Sequence, residues 1–255
     1  IIHFVNIYCI IFKLIVFLIV FVNIYLILFF SIMNNLTLII PAKQESQSLP
    51  AVLEELKKFR YKIDVVLHTT DIETIQSIKN YNVNIIYQKN FGYGDALIEG
   101  INMCTTEYFC IFNADGSFDP AELDGMYQST INKKLDLLFA SRYQTNSGSE
   151  DDTIVTFVGN YIFTLIGKIF FKLNITDILY TFVMGRTDKA KQLNLVEKKF
   201  AFCVELPIKA KKLNMNIMSI SSHERKRIAG IKKVNAFKDG FQILTYMIKK
   251  FFNSP

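Results

Sequence analysis

Cysteine is scarce in this chain: Cys9, Cys104, Cys110 and Cys203, with no two spaced as C-x-x-C. That excludes a cysteine-framed zinc site and a redox dithiol, and it fits a reducing compartment. The four thiols are read as small buried apolar groups. No internal repeat runs through the 255 residues, and no nucleic-acid-binding motif is present. Residues 1–32 lack Ala, Gly, Pro, Thr, Met, Asp, Glu, Gln and Arg altogether. A stretch that apolar is long enough to cross a bilayer, which takes about 20 residues. Yet spanning helices usually carry Ala and Gly, and Lys13 would interrupt this one. Two readings stand: a membrane anchor, or upstream sequence before a natural start at Met33. Acidic residues are few at the other end. Residues 186–255 hold 16 Lys and Arg against 5 Asp and Glu, a surplus of +11 that leaves −5 for the rest of a chain whose net charge is +6. A basic last third suits an anionic partner: phosphates, a membrane surface or nucleic acid.

From Met33 onward apolar strands and helices alternate. "LTLIIPA" (36–42), "KIDVVLH" (62–68), "VNIIYQ" (83–88), "EYFCIFN" (107–113) and "LDLLFASR" (135–142) read as strands. Between them, "SLPAVLEELKKF" (48–59), "DIETIQSIKN" (71–80), the stretch after "NFGYGD" and "DPAELDGMYQSTI" (119–131) read as helices, the last with Asp119 as its cap. Unbroken apolar strands alternating with helices predict an α/β fold, a mostly parallel sheet covered on both faces. The second half is less regular. "SGSEDD" (147–152) reads as a mobile loop, residues 153–173 as a long apolar helix, buried or at a membrane surface, and 200–213 as a helix started or kinked by Pro207. A final amphipathic helix, 237–252, is suited either to an anionic bilayer surface or to the domain's own core.

The chemistry gathers where "CIFNADGSFDP" (110–120) stops being apolar. In open parallel sheets, ligands bind at the carboxyl ends of strands. Asp115 there can hold Mg²⁺ or Mn²⁺, hard cations that bridge protein oxygens to substrate phosphates. Asn113 adds only a neutral carbonyl, and Ser117 a hydroxyl. Taken alone, Asn-Ala-Asp-Gly reads first as a common turn.

Context gives it meaning. "LIIPAKQESQSLPAVL", "GYGDALIEGI", "FNADGSFDPAEL", "ASRY", "GNYIFTLIGKIFFKLNITD" and "RIAGIKK" occur in that order across some 200 residues. Together they resemble family 2 glycosyltransferases, most closely the polyprenyl-phosphate sugar transferases of the dolichol-phosphate mannose synthase type. The resemblance implies an A-type glycosyltransferase fold over residues 33–235, followed by the amphipathic helix of 236–255. It implies a nucleotide-diphosphate sugar donor, a polyprenyl-phosphate or glycan acceptor, Mg²⁺ or Mn²⁺, and inversion at the anomeric carbon. It implies that Pro41, Ala42, Glu45 and Asp71 line the nucleotide pocket and that Asp115 and Asn113, with Ser117, hold the metal. It implies that Arg142 approaches the donor, that Asp177 lies near the reacting centre as the base for a hydroxyl acceptor, and that Arg227 and Lys233 clamp phosphates. Such an enzyme would sit peripherally at the cytoplasmic face of the membrane and build surface glycan, with no nucleic acid as partner. These assignments have plainer readings: Glu45 as a cap of the first helix, Arg142 as a surface residue, Asp177 as a turn cap, and Arg227 and Lys233 as solvated cations. The chain also departs from the family pattern. Asn113 replaces the first Asp of D-x-D, "LHTTD" replaces a paired-Asp segment so that only Asp71 matches, "DILYTF" stands for "DPTSGF", and Lys232 stands for Ser. These departures leave a second reading open, a catalytically inactive member that serves as a nucleotide-binding scaffold.

Overall fold

A computed structural model describes residues 15–18, 20–21, 35–59, 61–230 and 233–253. The two readings of residues 1–32 concern residues that lie almost wholly outside these.

Seven strands form one sheet. In chain order they are β1 (Leu36–Pro41), β2 (Lys62–Leu67), β3 (Asn84–Tyr87), β4 (Tyr108–Ile111), β5 (Leu137–Ser141), β7 (Val183–Arg186) and β8 (Ile217–Ser221). Their spatial order is β3-β2-β1-β4-β7-β5-β8. All pairings are parallel except those of β7, which runs antiparallel to both β4 and β5. Side chains alternate across a strand, and here both sides are covered. Ile39, Phe109, Ile111, Leu137 and Phe139 enter one core. Leu38, Ile40, Cys110, Phe112 and Leu138 enter the other. This double burial is why the strands read as unbroken apolar runs.

The helices are α1 (Leu49–Lys57), α2 (Ile72–Ser77), α3 (Tyr93–Met103), α4 (Glu122–Asn132), α5 (Ile154–Phe171), α6 (Thr187–Gln192), α7 (Phe202–Lys212) and α8 (Ala236–Phe252). Several differ from expectation. Helix α4 starts at Glu122; Asp119 accepts from the Ala121 N–H at 2.9 Å and so caps the turn before the helix. Helix α7 runs through Pro207, which neither starts nor ends it. Interior proline costs about 3 kcal/mol, and the burial of Phe202, Val204, Leu206 and Ile208 around it offsets that. The "SGSEDD" segment is built into the fold. Its β6 (Gly148–Ser149) pairs with β9 (His223–Glu224) as a second small sheet. Helix α8 packs Ile243, Tyr246 and Met247 into the domain core, so residues 236–252 belong to the same folded unit.

The chain lays β1, β2 and β3 outward in one direction, then returns to place β4 on the other side of β1. The crevice at the carboxyl ends of β1 and β4 is therefore the switch point where such sheets bind ligands. Pro41 and Ala42 end one strand there, and Asn113 and Asp115 follow the other.

Candidate active site

The turn after β4 rests on an aromatic base. Phe112 meets Phe118 and Phe182 edge-on, and Phe118 stacks on Phe182 with ring centroids 4.5 Å apart. Above them Asp115 Oδ1 accepts from the Ser117 N–H at 3.0 Å. Gly116 lies at φ +83°, and a Cβ there would come within 2.5 Å of the Ile228 side chain. Glycine is required on both counts. The later segment 225–228 is tied down onto this turn: the Arg225 N–H donates to Ser117 O, and the Ile228 N–H to Asp115 O, both at 2.8 Å. Arg227 is thereby brought 3.4 Å from Asp115 Oδ2, with Asp151 on its other side at 3.0 Å. Burial opposes the Arg227 charge, but Asp151 and Asp115 outweigh it and raise its pKa. Asp115 keeps 14% of its side chain exposed.

A second charge cluster lies deeper. Arg142, at the end of β5, donates to both oxygens of Asp177, from Nε at 2.8 Å and Nη2 at 3.1 Å, and its backbone N–H adds a third bond. Its Nη1 reaches Glu224 at 3.0 Å and lies 3.7 Å from Asp152. The guanidinium also sits 4.6 Å from the Tyr180 ring centre. Asp177 is 0% exposed and takes a further bond from the Asn160 amide of α5. Burial works against the Arg142 charge, yet Asp177 and Glu224 hold it well above the ordinary arginine range. Asp177 therefore does not face the crevice as a base. It is an anchor that fixes Arg142.

Around the rim of β1, Glu45 is nearly buried. It accepts from the Ser48 hydroxyl at 2.7 Å and pairs with Lys233 at 3.4 Å. Burial pushes its pKa up, Ser48 and Lys233 pull it back, and nearby Asp115 raises it again. Asp71 caps α2 through the Thr74 N–H and accepts from the Gln44 N–H at 2.6 Å. Both its oxygens thus serve the scaffold. Beyond it, half-buried His68 and exposed Phe91 form a ring stack with centroids 3.9 Å apart.

These contacts bring together Asn113, Asp115, Arg227, Glu45 and Lys233 beside Pro41 and Ala42. Asp71 adjoins them through Gln44 but spends its carboxylate on backbone N–H groups, and Ser117 is buried, its hydroxyl accepting from the Asn113 amide at 3.2 Å. Ser117 supports Asn113 and is not presented as a ligand. Among the described residues no three Asp, Glu, His or Cys side chains converge into a ready-made metal cage. One part-exposed carboxylate is nevertheless what a Mg²⁺ or Mn²⁺ site needs when the substrate brings its own phosphate oxygens. The residues fit such a site with Asp115 as the carboxylate. Residues that the sequence reading missed are Asp151, Asp152 and Glu224, which hold the two arginines, and Asn160. For Glu224 and Asp151 the signal was weak because they lie 82 and 76 positions from their arginines; Asp152 and Asn160 are nearer to their partners, but no spacing pattern pairs them.

Comparison with known proteins follows the same lines. The family model described as "Glycosyl transferase family 2" matches residues 37–193. An uncharacterized glycosyltransferase of Mycobacterium tuberculosis is 24% identical over 202 residues, covering 79% of this chain and 90% of that protein. A protein of Mycobacterium bovis, also termed an uncharacterized glycosyltransferase, matches to the same extent. Among solved structures, glucosyl-3-phosphoglycerate synthase from M. tuberculosis, in complex with Mn²⁺, UDP and glucosyl-3-phosphoglycerate, superposes with a TM-score of 0.68 at 10% identity. The match covers 86% of this chain and 80% of that one. Mannosyl-3-phosphoglycerate synthase from Rubrobacter xylanophilus gives 0.66 at 11% identity, over 85% and 73% of the two chains. The shared fold is the A-type glycosyltransferase fold.

Proposed function

Because the chain belongs to glycosyl transferase family 2 and is a nucleotide-sugar-dependent transferase, we propose that it moves a glycosyl group from a nucleoside diphosphate sugar to a phosphate-bearing acceptor, with inversion. The acceptor class is a polyprenyl phosphate, or a glycan that already carries an anionic nucleophile. The observation that carries this reading is the state of Asp177. A hydroxyl acceptor needs a base to take its proton, and Asp177 is fully buried and held by Arg142 and Asn160. A phosphate oxygen is already ionised and needs none.

The acceptor oxygen bonds to the anomeric carbon from the face opposite the diphosphate. The bond from that carbon to the diphosphate oxygen breaks, and its electron pair leaves with the nucleoside diphosphate. Arg227 turns from Asp115 toward this developing charge, which is where fixed cations lower a barrier most. Lys233, from the same basic segment, adds a second cation. Asp115, with Asn113, would hold Mg²⁺ or Mn²⁺, whose contribution when bound is to neutralise the diphosphate as a Lewis acid. Arg142, fixed by Asp177, Glu224 and Asp152, shapes the floor of the site. The His68–Phe91 stack, with Phe91 exposed and reached from Gln44 through Asp71, offers an aromatic surface for the nucleobase.

Calorimetric titration with UDP, GDP and their common sugar conjugates, with and without Mn²⁺, tests the reading. Metal-dependent binding of one conjugate, lost in Asp115→Ala, is expected. A folded protein that binds none of them overturns the transferase reading and favours an inactive scaffold.

A further inference from the structure

Helix α5 is built inside out. The side it turns to the protein carries Asn160, Thr164 and Gly167. The Leu179 N–H donates to Asn160 Oδ1 and the Ile178 N–H to Thr164 Oγ1, both at 3.2 Å. The side it turns outward is apolar: nine of its eighteen residues are exposed large hydrophobics, with Ile154 at 84% and Tyr161 at 62%. A helix on a water-facing surface has the reverse pattern. Helix α8 lies alongside in parallel. Gly240 stands against Phe163, and Phe170 meets Phe251 with ring centroids 5.2 Å apart. Its inner stripe, Ile243, Tyr246 and Met247, is buried, but a second stripe of Phe237, Phe241, Leu244, Ile248 and Phe252 faces out. The two outer faces join at Phe170 and Phe251.

We infer that this joined face of α5 and α8 docks the enzyme in the plane of an anionic lipid bilayer. Helix α5 is long and apolar enough to cross a membrane by composition. However, its polar side is hydrogen-bonded to the 177–179 segment of the domain, so it lies on the bilayer rather than through it. Charge names the occupant. Neither helix carries an exposed acidic residue, and Asp239 is buried. Exposed Lys168 and Lys172 end or follow α5, and Lys249 lies in the last turn of the parallel α8, so these cations gather at one end of the face. A groove of about 500 Å³ between α8 and residues 196–201 adds exposed Lys198 and Lys199 beside one half-buried acid, Glu197. Basic residues around an apolar face are the combination that anionic headgroups attract and acyl chains retain.

The test is sedimentation of the full chain with phosphatidylcholine vesicles, with and without phosphatidylglycerol, beside Ile162→Glu and Phe241→Glu. Both positions are exposed, at 49% and 71%, and lie outside the catalytic machinery; circular dichroism checks their fold. Binding to the anionic vesicles is expected, weakened by salt, and lowered about tenfold by either variant. No binding to anionic vesicles overturns the inference. So does undiminished binding by the variants, which would place attachment elsewhere in the chain. A lipid-free dimer that either variant dissociates, with vesicle binding unchanged, assigns the face to a second copy and also overturns it. The readout needs no donor, so its failure is distinct from failure of the transferase reading.

Discussion

Asp115 and Asp177 are both aspartates beside an arginine, yet the two regions do opposite work. Asp177 is fully buried, chelated by Arg142 and bonded by Asn160. Asp115 is partly exposed, and its arginine stands 3.4 Å away, shared with Asp151. A buried, fully bonded ion pair resists change, because parting it strands a charge in a poorly solvated place. A loose, half-solvated pair exchanges partners at little cost. The first arrangement suits a fixed floor, the second a place where a metal-bearing diphosphate arrives and leaves.

That contrast can be broken by mutation. The largest effect is expected for Asp177→Ala, which leaves Arg142 with Glu224 as its nearest anion. Folding stability should fall by about 3 kcal/mol, measured by urea denaturation, with donor affinity of the remaining folded fraction little changed. Next comes Asp115→Asn, which keeps the turn by preserving the acceptor for the Ser117 N–H. Turnover should fall at least about a hundredfold, roughly 2.7 kcal/mol of barrier, with the melting temperature nearly unmoved. If Asp115→Asn unfolds the protein and Asp177→Ala does not, the assignment of the two roles is inverted. Arg227→Ala should be smaller: about tenfold weaker donor binding, while Mn²⁺ alone binds more tightly because a competing cation has gone. The smallest effect concerns Glu45. Its folded pKa lies above the ordinary 4.5 because it is buried. Its contribution to stability is therefore fully present below pH 4.5 and is lost as pH rises through the folded value. Glu45→Gln should flatten that part of the stability curve, read from melting temperatures across the acid range.

The sheet was legible because double burial leaves unbroken apolar runs, and the crevice followed from strand order. The turn at Asn113–Asp115 was legible because an apolar strand stops there at a carboxylate. Strand β7 was not, since Val183–Arg186 is four residues in an apolar stretch with no turn signal to bound it. The partners of Arg142 and Arg227 were not legible either. Glu224 lies 82 positions from Arg142, and Asp151 lies 76 from Arg227, separations at which sequence pattern says nothing. The mobility expected of residues 147–152 failed for the same reason. Asp151 and Asp152 in that stretch serve those arginines, and Ser149 bonds Glu224, while Glu150 alone stays exposed. Asp177 was picked out by its place in a motif, but its role depended on burial, which a motif does not reveal.

The pairing of Arg227 with Asp115 and Asp151 bears on selectivity inside a cell, where free phosphate and nucleoside monophosphates abound. A simple anion must take Arg227 from two carboxylates and leave Asp115 facing uncompensated negative charge. A diphosphate that carries its own divalent cation offers a swap in which every charge keeps a counterpart. If Asp115 and Arg227 serve the donor as proposed, this salt bridge would act as a filter on what can enter, favouring the metal-bearing donor over the far commoner anions around it.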